Sequence, residues 1–277
     1  MSEAQAQQES SASPAVLTAV WGPLAFLSAL CGIGGGLFAV PLLHYVGATP
    51  LKRAVATSTV IVFILSVVGT LTEALQERPN FIWPAIAALA VGGWGGAVSG
   101  YWVSQRVDTR FIKRAFVFVL LFSAYRVLAV GGAASDELGP DARQLEPLYV
   151  VLVALIGFVG GFIAPILGVG GGLFVVPALY LSFPSISILE ARACSVAMTI
   201  LTSGQSAWLH ARAGSVDAGP LKWLGPATVV GSALGVVAVH QPGWAAVARV
   251  GLGVILLVVA ARFAWDELRP SANERRN

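Results

Sequence analysis

The sequence predicts an all-α, polytopic membrane protein built from two inverted repeats, each with a glycine-broken helix, re-entrant or discontinuous, plus three transmembrane helices. Three observations lead there. Residues 54–72, 81–103, 193–209 and 223–239 contain no Asp, Glu, Lys or Arg, and each run is long enough to cross about 30 Å of hydrocarbon as a helix. Of the 277 residues, 56% are hydrophobic and only 11% charged, with a mean hydropathy of +0.78; a soluble domain of this size needs a polar shell that such a composition cannot furnish. The third observation is an internal repetition, GIGGGLFAVP at Gly32–Pro41 and GVGGGLFVVP at Gly168–Pro177, which differ only by Ile/Val and Ala/Val exchanges.

The repetition continues more weakly downstream. Arg53-Ala54 resembles Arg192-Ala193, Gly96–Gly100 resembles Gly231–Gly235, and Arg114 and Arg249 each precede an apolar run. The expected organisation is a polar tail over 1–14, a first membrane repeat over 15–131, an exposed linker over 132–146, a second repeat over 147–266 and a tail over 267–277. The apolar stretch from Val16 to Cys31 is expected to be retained, because the segment before it carries Glu3 and Glu9 and no Lys or Arg, so the basic start of a cleaved signal is missing.

Residues 16–45 form an apolar stretch that as one straight helix would be about 45 Å long and overshoot the bilayer core. Glycines at 32, 34, 35 and 36 are where it breaks, since glycine is a poor helix former and enters positive φ freely. Either a broken spanning helix or a hairpin returning to its own side fits. With hairpins, each half crosses three times and the halves are inverted. Lys52, Arg53, Arg106, Arg110, Lys113, Arg114, Arg212, Lys222, Arg262, Arg269, Arg275 and Arg276 then lie inside, and Arg78, Arg126, Arg143, Arg192 and Arg249 outside. That is twelve against five, whereas parallel repeats of four crossings give eight against nine. Basic loops stay cytoplasmic, so the inverted arrangement is expected, with both tails in the cytoplasm.

Unwound backbone is tolerated at membrane depth only where protein or a watery cavity surrounds it. Two such breaks, one per half, are expected to meet near the midplane, with helices starting near Leu37 and Leu173. The amides of Gly34, Gly35, Gly36, Gly170, Gly171 and Gly172 would form a nest for an oxyanion. Thr57 and Ser58 in the first half and Ser195 and Thr199 in the second could add hydroxyls, although each could equally bond neighbouring helices or its own preceding turn. Arg53 and Arg192 start apolar helices, where a cation snorkels, pairs or attracts an anion. By contrast, Gly92-Gly93, Gly95-Gly96 and Gly160-Gly161 read as helix-packing glycines.

The net charge of +3 comes from basic residues scattered between apolar runs, which argues against nucleic acid. Cys31 and Cys194 match no metal or redox spacing and read as small buried residues. His44, His210 and His240 share no spacing, so no metal or proton-relay role is expected of them. No cofactor is implied. The partners implied are the lipid bilayer and a small anion, and the sequence specifies no oligomeric state.

The two glycine motifs, with Ala54-Val-Ala-Thr-Ser58, resemble the TauE/SafE family of sulfite and organosulfonate permeases over both halves; the second half reads Ala193-Cys-Ser-Val-Ala197 instead. The resemblance implies an eight-segment permease of the cytoplasmic membrane, often exporting sulfite or related sulfonate-breakdown anions. No P-loop is present. With the interior negative, each negative charge leaving the cell gains about 2.3 kcal/mol per 100 mV, so export needs no coupled ion. Glu73, close to a helix end, is the one near-exception to carboxylate-free apolar segments, which argues against a buried proton relay. The alternatives are uptake of another small anion, a non-transporting scaffold, or an intramembrane serine protease using Ser203 and His240. The protease is disfavoured because Leu201 breaks the Gly-x-Ser-Gly context.

Overall fold

The structure is a computed structural model, and it describes residues 13–104, 121, 124–125, 128, 147–168, 170–183 and 185–268. The linker over 132–146, most of the expected crossing after Arg114 and most of both tails lie outside the described residues. Among those residues the chain is helical throughout: α1 Pro14–Cys31, α2 Gly36–Pro41 running into a π turn Leu42–Val46, α3 Leu51–Ala74, α4 Trp83–Ser104, α5 Pro147–Leu167, α6 Gly172–Ser182, α7 Ile188–Arg212, α8 Ala218–Val239 and α9 Trp244–Leu268. Among the described residues, five segments are long and apolar enough to cross a membrane: Pro14–Cys31, Lys52–Ala74, Trp83–Val103, Pro147–Ile166 and Ala218–Val239.

Local chemistry sets the helix ends. Pro14 stands in the first turn of α1, where its missing N–H costs nothing, and Gly32 at φ 74° closes the helix with its N–H on Ser28 O. Ser187 and Glu190 form a capping box on α7: Glu190 N donates to Ser187 Oγ (3.2 Å) and Ser187 N to Glu190 Oε2 (2.8 Å). Asp217 caps α8 by accepting from Gly219 N at 3.0 Å. Its own N–H donates to Thr57 Oγ1 at 2.9 Å, which ties the start of α8 to α3.

Helix packing is reciprocal between the halves. Gly92, Gly96 and Gly100 of α4 lie against the backbone of Ala154, Phe158 and Phe162 of α5, so closely that a Cβ on any of them would collide with a carbonyl. Gly231 and Gly235 of α8 lie in the same way against Gly22 and Phe26 of α1, where a Cβ on Gly231 would sit 2.7 Å from Gly22 O. The spacing that separates Gly32 from Gly168 also separates Gly22 from Phe158 and Phe26 from Phe162. The third long helix of each half therefore packs on equivalent positions of the first helix of the other. Small residues permit this approach, and backbone proximity replaces the hydrophobic drive that lipid does not supply. Gly93 and Gly161 share the α4–α5 seam, and Gly160 packs on Val175, as the packing expectation for these pairs required; Gly95 has only Phe158 near it, at 3.9 Å.

Between these pairs α3 and α7 cross in opposite senses: Glu73 meets Arg192 and Gly69 meets Val196, while Phe63 meets Gly204. The outer faces are apolar. Leu148, Val151, Leu152, Leu155 and Phe158 of α5 are exposed, as are Trp83 and Trp102 at the two ends of α4. An apolar surface with aromatic residues at its rims matches a lipid environment.

Candidate functional site

Each repeat breaks its helix by the same three left-handed glycines. Gly32, Gly34 and Gly35 have φ of 74°, 75° and 76°, and Gly168, Gly170 and Gly171 have 70°, 81° and 84°. These conformations disfavour any residue with a Cβ. Helices α2 and α6 start from them at Gly36 and Gly172. The breaks touch one another, since a Cβ on Gly172 would lie 2.7 Å from Gly32 O and 3.3 Å from the Ile33 carbonyl carbon. They sit halfway along α3: Gly170 packs on Val62 and Gly35 on Leu65.

Several carbonyls of the breaks have partners. Ser58 Oγ donates to Gly168 O at 3.1 Å and Ser195 Oγ to Gly32 O at 3.4 Å, so each half caps the other's first glycine. Thr199 Oγ1 and Thr202 Oγ1 both reach Gly170 O, at 3.2 and 3.4 Å. The amides differ. Among the described residues, the N–H groups of Gly34, Gly35, Gly36 and Leu37, and those of Gly170, Gly171, Gly172 and Leu173, donate no hydrogen bond to the protein. The paired breaks therefore present donors and few free acceptors, which is the electrostatic character that suits an anion.

The hydroxyls named from the sequence are engaged with backbone. Thr57 accepts from Asp217 N, Ser58 also donates to Val55 O at 2.7 Å, and Thr199 also donates to Ser195 O at 2.7 Å. Ser58, Ser195 and Thr199 thus hold the breaks in shape. Ser66 Oγ and Thr70 Oγ1, on the face of α3 that ends at Glu73, are buried with no partner among the described residues. The spacing 66, 70, 73 is one helix face and could have been read from the sequence.

The two arginines of the repeat are not alike in their surroundings. Arg53 is exposed in the first turn of α3. Arg192 is 2% exposed, lies over the first break and donates from Nη1 to Ala29 O at 3.3 Å. Its Nη2 is ion-paired with Glu73 Oε2. Glu73, 1% exposed, also accepts at Oε1 from Asn80 N (3.0 Å) and Asn80 Nδ2 (2.9 Å), and contacts His240 Nε2 at 3.1 Å. Glu73 lies at the end of α3, as expected, and is a buried, charge-paired carboxylate. His240, the C-cap of α8, is one of its partners. Cys31 and Cys194 are buried free thiols, as expected.

The sequence pattern described as Sulfite exporter TauE/SafE matches residues 2–127 and 153–277. The chain belongs to the TauE/SafE family. It is 29% identical over 184 residues to a probable membrane transporter protein of Methanocaldococcus jannaschii, covering 64% of each chain. It is 32% identical over 106 residues to the probable membrane transporter protein YunE of Bacillus subtilis, covering 38% of each. The probable membrane transporter protein MamO of Paramagnetospirillum magneticum shares 31% over 112 residues, 38% of this chain and 18% of MamO. The matches span less than two thirds of these relatives' lengths. No solved structure matches. Membership in this family and the apolar helices among the described residues mark the chain as a multi-pass membrane protein.

Proposed function

We propose that this TauE/SafE transporter is a permease for a small sulfur-containing anion, sulfite or an organosulfonate, and that it exports it without chemical conversion. The observation that carries the reading is the pair of touching glycine breaks, each with four consecutive amides unbonded among the described residues, the first of them beneath the buried Arg192. In this reading the amides of Gly34–Gly36 and Gly170–Gly172 bind the oxyanion, and Ser58, Ser195 and Thr199 fix the backbone that presents them. Thr57 braces α8 against α3. Arg192 supplies the nearby full charge, and Arg53, about 30 Å along α3 from Glu73, draws anions toward the cytoplasmic mouth. Inversion of the repeats is supported by the opposite senses of α3 and α7, because a two-fold axis in the membrane plane makes equivalent central helices antiparallel. The membrane potential then drives the anion outward.

Anion binding to detergent-solubilised protein tests the site. Gly35→Ala and Gly171→Ala each put a methyl group at a φ that strains it, against Leu65 Cδ1 at 2.9 Å and Gly160 O at 2.7 Å respectively. Affinity for sulfite should fall in the folded fraction of both, and more than affinity for chloride. Unaltered affinity with lowered thermal stability would assign these glycines to packing alone.

A further inference from the structure

We propose that Glu73 is the resident counter-anion of Arg192, occupying the place that the transported oxyanion takes. The proposal rests on the transport reading above. Two features of the cluster carry it. The first is an unfilled donor: Arg192 Nε is buried with no partner among the described residues, while Nη2 beside it holds one oxygen of Glu73. A guanidinium edge of Nε and Nη2 binds a two-oxygen face with parallel hydrogen bonds. Glu73 uses only half of that edge, and a sulfite or sulfonate oxygen pair could use all of it.

The second feature is that Glu73 has somewhere else to stay. Its Oε1 already holds three contacts, with Asn80 N, Asn80 Nδ2 and His240 Nε2. Leaving Arg192 costs it one partner and not its whole hydrogen-bond set. The exchange does change charge. Arg192 and Glu73 together are neutral, and an added monoanion such as a sulfonate leaves one uncompensated negative charge in a buried place, which is costly. Protonated His240 restores neutrality, and its side chain is 17% exposed, so protons reach it from solvent. Histidine is the side chain whose ordinary titration falls between about pH 5 and 8. The titratable groups around Glu73 are Arg192 and Cys194 of α7, His240 at the end of α8 and, beside Arg192, Cys31 at the end of α1. His240 is the histidine among them, and it contacts Glu73 directly. Anion affinity should therefore rise as pH falls.

The experiment measures binding of sulfate, thiosulfate and methanesulfonate, none of which titrates between about pH 5.5 and 8, to purified protein, with sulfite added at one pH. Glu73→Gln keeps the shape and removes the competing charge. It should tighten anion binding about tenfold or more at neutral pH, slow transport turnover by retaining the anion, and flatten the pH dependence. His240→Gln should leave the high-pH affinity in place and abolish the gain on acidification, which serves if Glu73→Gln fails to fold. Glu73→Gln with unchanged affinity, or His240→Gln with the wild-type pH slope, would reduce the cluster to a structural ion pair while leaving transport standing. Wild-type protein that binds none of the four anions would overturn the transport reading and this one together.

Discussion

Gly32 lies directly beneath Arg192: a Cβ at Gly32 would sit 2.5 Å from Arg192 Cγ and 3.1 Å from its Cα. The glycine that ends α1 is thus also the floor on which the buried cation rests. Gly32→Ala should both strain a φ of 74° and push Arg192 from Glu73. Gly214, at φ 65° with nothing within 4 Å of a Cβ, carries the backbone strain alone. Gly214→Ala should cost about 1–2 kcal/mol of stability with anion affinity unchanged, and Gly32→Ala should lose affinity as well. Equal effects in calorimetry and in binding would detach Gly32 from the site.

The two repeat-related arginines should respond differently to the same substitution. Arg53→Gln is a surface change, expected within about 0.5 kcal/mol. Arg192→Gln leaves Glu73 buried and unpaired, expected to cost about 3–5 kcal/mol. Arg192→Gln combined with Glu73→Gln should recover part of that loss, because no charge then stays buried alone. Thermal unfolding in detergent of the wild type, these three variants and Glu73→Gln alone measures this, and additive losses would show that the pair is not coupled.

The α4–α5 seam offers a matched pair of glycines. Gly96→Ala places a methyl group into Phe158 O, while Gly95→Ala meets only Phe158 Cδ2 at 3.9 Å. The first should destabilise by about 1–3 kcal/mol through overpacking, and the second should be neutral or slightly favourable in a helix interior. Melting temperatures of the two variants check it.

Topology follows from the distribution of basic residues. A cysteine introduced at position 275 should be protected from an impermeant thiol reagent applied to intact cells, and one at position 140 should react. Cys31 and Cys194 are buried and should give no background. Labelling at 275 from outside would end the inverted arrangement.

The sequence made the architecture readable because the decisive features are local. A literal repeat marks the two glycine breaks, and uncharged runs correspond to α3, α4, α7 and α8 within a few residues at their ends. The Glu73–Arg192 pair was not readable in this way. Its members are 119 positions apart and meet only because α3 and α7 cross antiparallel, a relation that no local pattern encodes. Matching Arg53 with Arg192 misled for a related reason. Helix α3 starts at Leu51 and α7 at Ile188, so Arg53 falls in an exposed first turn and Arg192 in a buried second one. Hydroxyl-rich segments are visible in the sequence, but which oxygen serves a carbonyl and which stays free depends on packing across both halves.

Counterflow in liposomes tests the central claim most directly. Purified protein is reconstituted into vesicles loaded with unlabelled sulfite, sulfate, thiosulfate or a sulfonate, and entry of labelled sulfite is followed. Transport through the glycine breaks predicts entry accelerated by internal sulfur oxyanions over empty vesicles, and abolished by Gly35→Ala in equally reconstituted protein. Entry no faster than into protein-free vesicles, whatever anion is loaded, would contradict it.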